Sequence, residues 1–122
     1  MNNEQLKREN IVKTKSYAFA LRVVKLYKYL VENKKEYVLS KQLLRSGTSI
    51  GALVRESEYA QSKKDFINKL SIALKEANET EYWLMLLKDS DYLNDKMYQS
   101  IKPDITELLK LLTAIINASK NK

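Results

Sequence analysis

Apolar residues recur at alternating steps of three and four along most of this chain, which is the spacing of one face of an α-helix. Between about residues 12 and 32 that face is built from aliphatic and aromatic side chains, and basic side chains fall on the opposite side. The pattern predicts a first helix with a buried apolar stripe and a basic outer surface. The stripe consists of Phe19, Val23, Leu26, Tyr27 and Leu30.

A second helix is predicted over about residues 34–59, and it starts at a capping box in which Asn33 precedes Glu36 by three positions. Both glycines of the chain, Gly47 and Gly51, lie one turn apart inside this helix. Each should cost about 1 kcal/mol relative to alanine. Close approach of another helix, including one from another subunit, would offset that cost. Simple tolerance of two small residues is the alternative explanation.

A third helix is predicted over about residues 63–88, with Ser62 as its cap and core positions that repeat at steps of four and three. This helix is apolar on a second side as well, and one bundle core cannot bury both sides. Exposed apolar stripes of this kind are typical of interaction surfaces. The residues predicted to form an oligomer interface are Leu44, Gly47, Gly51, Ile72, Trp83 and Leu86.

A fourth helix is predicted over about residues 95–118, with Asn94 as its cap. Pro103 interrupts the apolar rhythm of this segment. A proline inside a helix removes a hydrogen bond and clashes one turn back. The sequence therefore predicts either a kink near Gln99 or a later start near Lys102.

Four amphipathic helices with short connections predict an all-α fold, an antiparallel up-down-up-down four-helix bundle over residues 11–118. Residues 1–10 are predicted to be a flexible N-terminal tail, and residues 119–122 a C-terminal tail. The chain has only two glycines and one proline. It therefore lacks the turn residues that a many-stranded β fold requires.

The composition excludes the commonest catalytic and metal-binding groups, because the chain has no histidine and no cysteine. We expect no enzyme activity, no catalytic residue, no metal site and no cofactor. Glu76 and Glu79 are neighbours on one helix face, and pairing with Arg45 or Arg55 is a better explanation for them than a metal. No signal peptide or membrane span is visible in the sequence. A cytoplasmic location is the expectation.

Positive charge is concentrated in the first third of the chain. The net charge is +7, and residues 1–45 hold 11 Lys or Arg against 4 Asp or Glu, whereas the remainder holds 11 of each. Such asymmetry is typical of a polyanion-binding surface. A solvated basic face that only maintains solubility is the alternative. The residues predicted to bind nucleic acid are Lys15, Arg22, Lys25, Lys28 and Arg45.

A distinctive pattern covers helices two and three, reading QLLRSGTSIGALVRE from Gln42 to Glu56 and continuing through Asp65, Phe66 and Glu79. Through this pattern the chain resembles the four-helix bundle proteins encoded in intervening sequences of bacterial 23S ribosomal RNA genes. Those proteins look related to the accessory variability determinant of diversity-generating retroelements. The resemblance implies a homopentamer with a basic surface that binds RNA or DNA, and no established enzymatic activity.

One position departs from the family pattern, because this chain has Leu53 where the family usually has asparagine after Ser-Ile-x-Ala. The helical register places Leu53 toward the core. A structural change is therefore expected there, rather than the loss of a functional group.

The sequence as a whole predicts a non-enzymatic, self-assembling, basic helical-bundle protein that acts as an accessory factor. It would bind RNA or DNA with little sequence specificity. The alternative is a structural or protein-interaction oligomer whose basic face binds an acidic protein. The expected partners are further copies of the chain in a pentamer, RNA or DNA, and a reverse transcriptase or other acidic protein. No membrane and no small-molecule substrate is expected.

Overall fold

The computed structural model describes residues 3–121, and within them it contains four α-helices and no β-strand. Each helix packs against its neighbour in the chain, and the fourth packs against the first, so that the four enclose one core. The all-α prediction is therefore confirmed. The helices are α1 (Asn3–Lys34), α2 (Leu39–Ser57), α3 (Lys63–Asp89) and α4 (Asp95–Lys120).

Side chains at the predicted steps of three and four form the core, with large residues such as Phe19, Leu43 and Leu112 fully buried. Small polar residues sit between them where α2 meets α3. The buried Thr80 hydroxyl donates to the Ser46 oxygen at 3.0 Å, and the Ser46 hydroxyl donates to the Gln42 carbonyl at 3.0 Å. These hydroxyls are therefore satisfied inside the bundle, which removes most of the cost of burying them.

The N-terminal segment predicted as a flexible tail is helical from Asn3 onward, so that prediction is wrong for residues 3–10. The reason is a contact with the far end of the chain. The buried Gln5 amide donates to the buried Ser119 hydroxyl at 3.2 Å. The predicted C-terminal tail is shortened in the same way, because α4 continues to Lys120. The remaining tail residues 1, 2 and 122 lie outside the described range.

The turn between α1 and α2 differs from the prediction, because α1 runs on to Lys34 and α2 starts only at Leu39. Lys35 adopts a left-handed backbone conformation with φ of 54°, which ends α1. The predicted capping box from Asn33 to Glu36 is therefore wrong. Glu36 instead caps α2, since its carboxylate accepts hydrogen bonds from the backbone of Val38 and of two further residues.

The Glu36 carboxylate is buried, and three backbone N–H groups surround it. Its distances to the nitrogens of Val38, Leu39 and Ser40 are 3.1, 3.1 and 2.7 Å. Burial by itself raises the pKa of a carboxyl group, but hydrogen bonds to the charged form lower it. At Glu36 burial is the largest single influence on the pKa, yet the bonds from Ser40, Leu39 and Val38 together outweigh it and hold the pKa below its ordinary value.

The caps of α3 and α4 agree with the sequence. The Ser62 hydroxyl accepts from the Asp65 amide at 3.0 Å, and the Asn94 side chain accepts from the Met97 amide at 2.9 Å. Each cap satisfies an amide that the first helical turn leaves without a partner.

Pro103 lies inside an uninterrupted α4, so the alternative start near Lys102 is wrong. The first two turns of α4 bury Tyr98 and Ile101. This apolar contact and the Asn94 cap offset the roughly 3 kcal/mol that a proline costs in a helix interior.

The two glycines of α2 face α1 of the same chain. A Cβ atom built on Gly47 would lie 2.8 Å from a methyl group of Val23, and one on Gly51 would lie 3.2 Å from the Ser16 carbonyl oxygen. The close approach of a helix is therefore present, but it is an intramolecular contact. The prediction that Gly47 and Gly51 face another subunit is wrong, because α1 occupies their surface.

Candidate nucleic-acid interface

Two of the predicted nucleic-acid contacts, Lys15 and Arg22, lie where α1 meets α4, and both are engaged with α4. The Lys15 ammonium lies 2.7 and 2.8 Å from the two carboxylate oxygens of Glu107. Arg22 donates to Asp104 at 2.6 Å, to the Ser100 carbonyl at 3.0 Å and to the Ser100 hydroxyl at 2.7 Å. These cations therefore join two helices as well as adding charge to the surface.

The Lys15 and Arg22 side chains remain 47% and 40% exposed. Exposed ion pairs of this kind contribute only about 0–1 kcal/mol and weaken with salt. A phosphate could therefore compete for either cation, but it would have to displace a carboxylate. Neither residue offers an unpaired positive charge in this structure.

Lys25 and Lys28 differ from these two, because both are exposed and neither makes an ion pair with any residue from 3 to 121. They lie on the last third of α1, on the side that turns away from the core. Among the five predicted contacts, these two are the cations whose charge the bundle leaves unneutralised.

Arg45 lies on a different side of the molecule, where α2 meets α3. Its guanidinium lies 3.2 Å from both carboxylate oxygens of Glu76 and also pairs with Glu79. The Trp83 indole donates to the same Glu79 carboxylate at 3.0 Å. The pairing expected between Arg45 and these glutamates is confirmed. The prediction that Arg45 extends the surface of the first helix is wrong, because the α2–α3 and α1–α4 contacts lie on opposite sides of the bundle.

A groove of about 500 Å³ runs between α1 and α4, and Lys25 is one of its lining residues. Its rim carries Lys96, a cation that the charge pattern did not single out because charge is balanced over residues 46–122. Only the packing of α4 against α1 places Lys96 and Lys25 on the same groove. We name this feature the α1–α4 groove. It is lined by Arg22, Lys25, Leu26, Tyr29, Lys96, Met97, Ser100 and Ile101.

Comparison with known proteins identifies the family of the chain. The family described as 23S rRNA-intervening sequence protein matches residues 8–114 of the chain. The chain belongs to this family. Among solved structures, it is similar to a protein of unknown function from the S23 ribosomal protein family of Bacteroides thetaiotaomicron VPI-5482. That crystal structure shows 62% sequence identity and a TM-score of 0.89, covering 90% of this chain and 98% of the other. No curated protein matches the chain.

Four of the residues through which the chain resembles 23S rRNA-intervening sequence proteins form one network in the structure: Gln42, Arg45, Ser49 and Glu79. Arg45 reaches the Gln42 side chain at 3.3 Å as well as the two glutamates of α3, and Ser49 donates to the Arg45 carbonyl at 2.6 Å. The motif therefore joins α2 to α3. Leu53, where the family pattern has asparagine, is half-buried and packs against the core as expected.

The residues predicted to form an oligomer interface do not lie together. Ile72 is 38% exposed on α3, and Trp83 and Leu86 are half-buried on the same helix. Leu44 packs against the core and shares its row on α2 with Gly47 and Gly51, which face α1. On α3 of this 23S rRNA-intervening sequence protein, Tyr82 and Met85 are exposed beside Ile72, and α1 carries further exposed apolar side chains, at Leu6, Ile11, Tyr17 and Leu21.

No group of three or more acidic residues within residues 3–121 is arranged to hold a metal ion. None of the described helices is long and apolar enough to cross a membrane.

Proposed function

We propose that this protein is a non-enzymatic, self-assembling bundle that binds RNA or DNA with little sequence specificity. The observation that carries the proposal is the pair of exposed cations without an ion pair, Lys25 and Lys28, together with Lys96, which lines the same groove as Lys25. Lysines on the outside of a bundle contact phosphates, and they have no means of reading base edges. The affinity of one subunit should therefore be low and strongly dependent on salt.

The proposal includes an antiparallel up-down-up-down arrangement of the helices. Contacts between neighbours support it, because they pair early residues of one helix with late residues of the next. Lys13 of α1 reaches Glu58 at the end of α2 at 3.2 Å, and Gln5 of α1 reaches Ser119 of α4 at 3.2 Å.

Self-assembly, as a pentamer, is the second part of the proposal. The exposed apolar side chains of α3 support it. A closed ring would repeat the lysine patch once per subunit, and several contacts to one strand could raise the apparent affinity by about 10² or more. The exposed apolar side chains of α3 also favour a second candidate function. In that function the protein is a structural oligomer whose basic face binds an acidic protein such as a reverse transcriptase.

Charge reversal tests the nucleic-acid function. We expect Lys25→Glu/Lys28→Glu to lower the affinity for both RNA and DNA. The slope of the salt dependence should become shallower by roughly 0.7–0.9 for each phosphate that the variant no longer neutralises. The matched control is Lys64→Glu/Lys75→Glu, which makes the same charge change on α3, the helix diagonally across the bundle from α1.

Equal reductions of affinity in both variants would mean that net charge alone explains binding. The assignment of the binding surface to α1 would then be wrong. If the unmodified protein binds neither polymer at low salt, the structural function replaces the nucleic-acid function.

A further inference from the structure

The α1–α4 groove combines two properties that a surface made only for phosphate contacts would not need. Its floor is apolar and contains an aromatic ring, from Leu26, Tyr29, Met97 and Ile101. Its rim is basic, with Arg22 and Lys25 on α1 and Lys96 on α4. No carboxylate lines it. A ligand that fills the groove should therefore have an apolar, flat part and a negative charge.

The charge around the groove favours an anion even after the ion pair of Arg22 is counted. Arg22 is neutralised by Asp104, but Lys25 and Lys96 make no ion pair with any residue in the described part of the chain. These two exposed ammonium groups stand on opposite walls. A backbone that runs across the groove could therefore place one phosphate near each of them.

The size of the groove favours a nucleotide over a folded protein. Its lining consists of eight residues from about two turns of each helix, whereas a stable protein interface takes about 20–30 residues per side. A volume of about 500 Å³ lies within the roughly 300–1,000 Å³ of ordinary small-ligand sites. One or two unstacked bases are ligands of that size, and aromatic side chains are what unstacked bases pack against.

We propose that the α1–α4 groove holds an unstacked base of a single-stranded nucleic acid, which packs on Tyr29 while its flanking phosphates lie on Lys25 and Lys96. This inference rests on the proposed function, and it adds a preference for single strands. A duplex keeps its bases stacked inside, so it reaches only the outer lysines and leaves the floor of the groove empty.

The test compares a labelled short oligouridine with an RNA duplex at the same salt concentration by fluorescence anisotropy. We expect the unmodified protein to prefer the single strand. Tyr29→Leu keeps the apolar bulk but removes the aromatic ring, and it should weaken single-strand binding by about fivefold or more while duplex binding changes less than about twofold. Tyr17→Leu is the matched control, since Tyr17 is 62% exposed on α1 and does not line the groove.

A second variant covers the case in which Tyr29→Leu does not fold, because Tyr29 packs partly against the core. Lys96→Glu changes an exposed rim residue and should also weaken single-strand binding more than duplex binding. Lys64→Glu should weaken neither by a comparable factor.

The outcomes separate this inference from the proposed function. If the protein binds duplex and single strand equally and the groove variants affect both alike, the groove is not a base site, but the nucleic-acid function stands. If it binds neither, both proposals fail. If an acidic amphipathic peptide binds in a Tyr29-dependent manner and the oligouridine does not, the groove belongs to a protein partner and this inference is overturned.

Discussion

The buried carboxylate of Glu36 accepts hydrogen bonds from the backbone N–H groups of Val38, Leu39 and Ser40, at the start of α2. An unpaired buried charge would be costly, but three backbone amides and the positive end of the α2 dipole stabilise the ionised form. This single residue therefore fixes where α2 begins. It also makes part of the stability of the protein dependent on pH.

We predict that Glu36→Gln lowers the free energy of unfolding by about 1 kcal/mol at about pH 7, the usual cost of a lost cap. The pKa of Glu36 is lowered in the folded protein, so its contribution is complete above the ordinary glutamate pKa and is lost as the pH falls through the folded value. The difference between variant and unmodified protein should therefore shrink in acid.

Urea unfolding at several pH values measures this difference. Glu32→Gln, at an exposed site on α1, is the control and should change little at any pH. A difference between Glu36→Gln and the unmodified protein that stays constant down to about pH 3 would contradict the charged cap.

The Gly47 position is restricted by Val23, a fully buried residue of α1. Alanine at Gly47 gains about 1 kcal/mol of helix propensity but overpacks the core at a cost of about 1–3 kcal/mol. We predict that Gly47→Ala lowers the stability of the unmodified protein by about 1 kcal/mol and raises it by a similar amount in a Val23→Ala background. Thermal unfolding of the four proteins measures both changes. The same sign in both backgrounds would rule out this packing explanation.

At the scale of elements, the ends of the helices are set by backbone conformation as much as by the apolar pattern. Lys35 ends α1 with a positive φ, which is costly for any residue with a Cβ. The Glu36 amide then bonds back to the Leu30 carbonyl at 3.0 Å. Glycine is the residue that ordinarily occupies such a position after a helix.

Lys35→Gly should therefore stabilise the protein by about 0.5–1 kcal/mol, because relief of the left-handed strain exceeds the entropy that glycine adds to the unfolded chain. Lys34→Gly removes the same charge one residue earlier, inside α1, and should destabilise by up to about 1 kcal/mol. Differential scanning calorimetry distinguishes them. The assignment of Lys35 as the end of α1 fails if both substitutions lower the melting temperature.

At the scale of the whole molecule, charge that is segregated along the sequence is partly neutralised in space. Four cations of the first 45 residues pair with carboxylates that come later in the chain: Lys13, Lys15, Arg22 and Arg45. Fewer cations are consequently left without a carboxylate than the sequence indicates, and Lys25, Lys28 and Lys96 are among the exposed ones that remain. Exposed apolar side chains remain on α1 and on α3, and the assembly proposal rests on those of α3.

We predict that light scattering gives a molar mass several times the 14.2 kDa of one chain. Ile72→Glu/Tyr82→Glu should reduce the mass toward that of one chain with unchanged helix content, since both side chains are exposed on α3. Tyr59→Glu, at a side chain that is 80% exposed outside the helices, is the control. A monomer at micromolar concentration of the unmodified protein would remove the assembly proposal.

The sequence by itself determined the four helices, most positions of the core rows and the caps of α3 and α4, because periodicity and capping act within a few residues. Tyr27, which was predicted in the buried stripe of the first helix, is not part of the core. Leu53 packs against the core, where the helical register predicted it. The turn at Glu36 was missed because Lys35 ends α1 in a left-handed backbone conformation, which the spacing of Asn33 and Glu36 does not indicate.

Only the tertiary structure decided which other residues the surface of each helix contacts. Gly47 and Gly51 were recognised as sites of close approach, but nothing in a linear pattern indicates that the approaching helix is α1 of the same chain. Lys15, Arg22 and Arg45 were selected by charge, yet their carboxylate partners lie at least about thirty positions away along the sequence. Lys96 was not selected from the sequence, because it reaches the α1–α4 groove only through the packing of α4 against α1. Ion pairing and grooves arise between helices, so the register of one helix against another determines them.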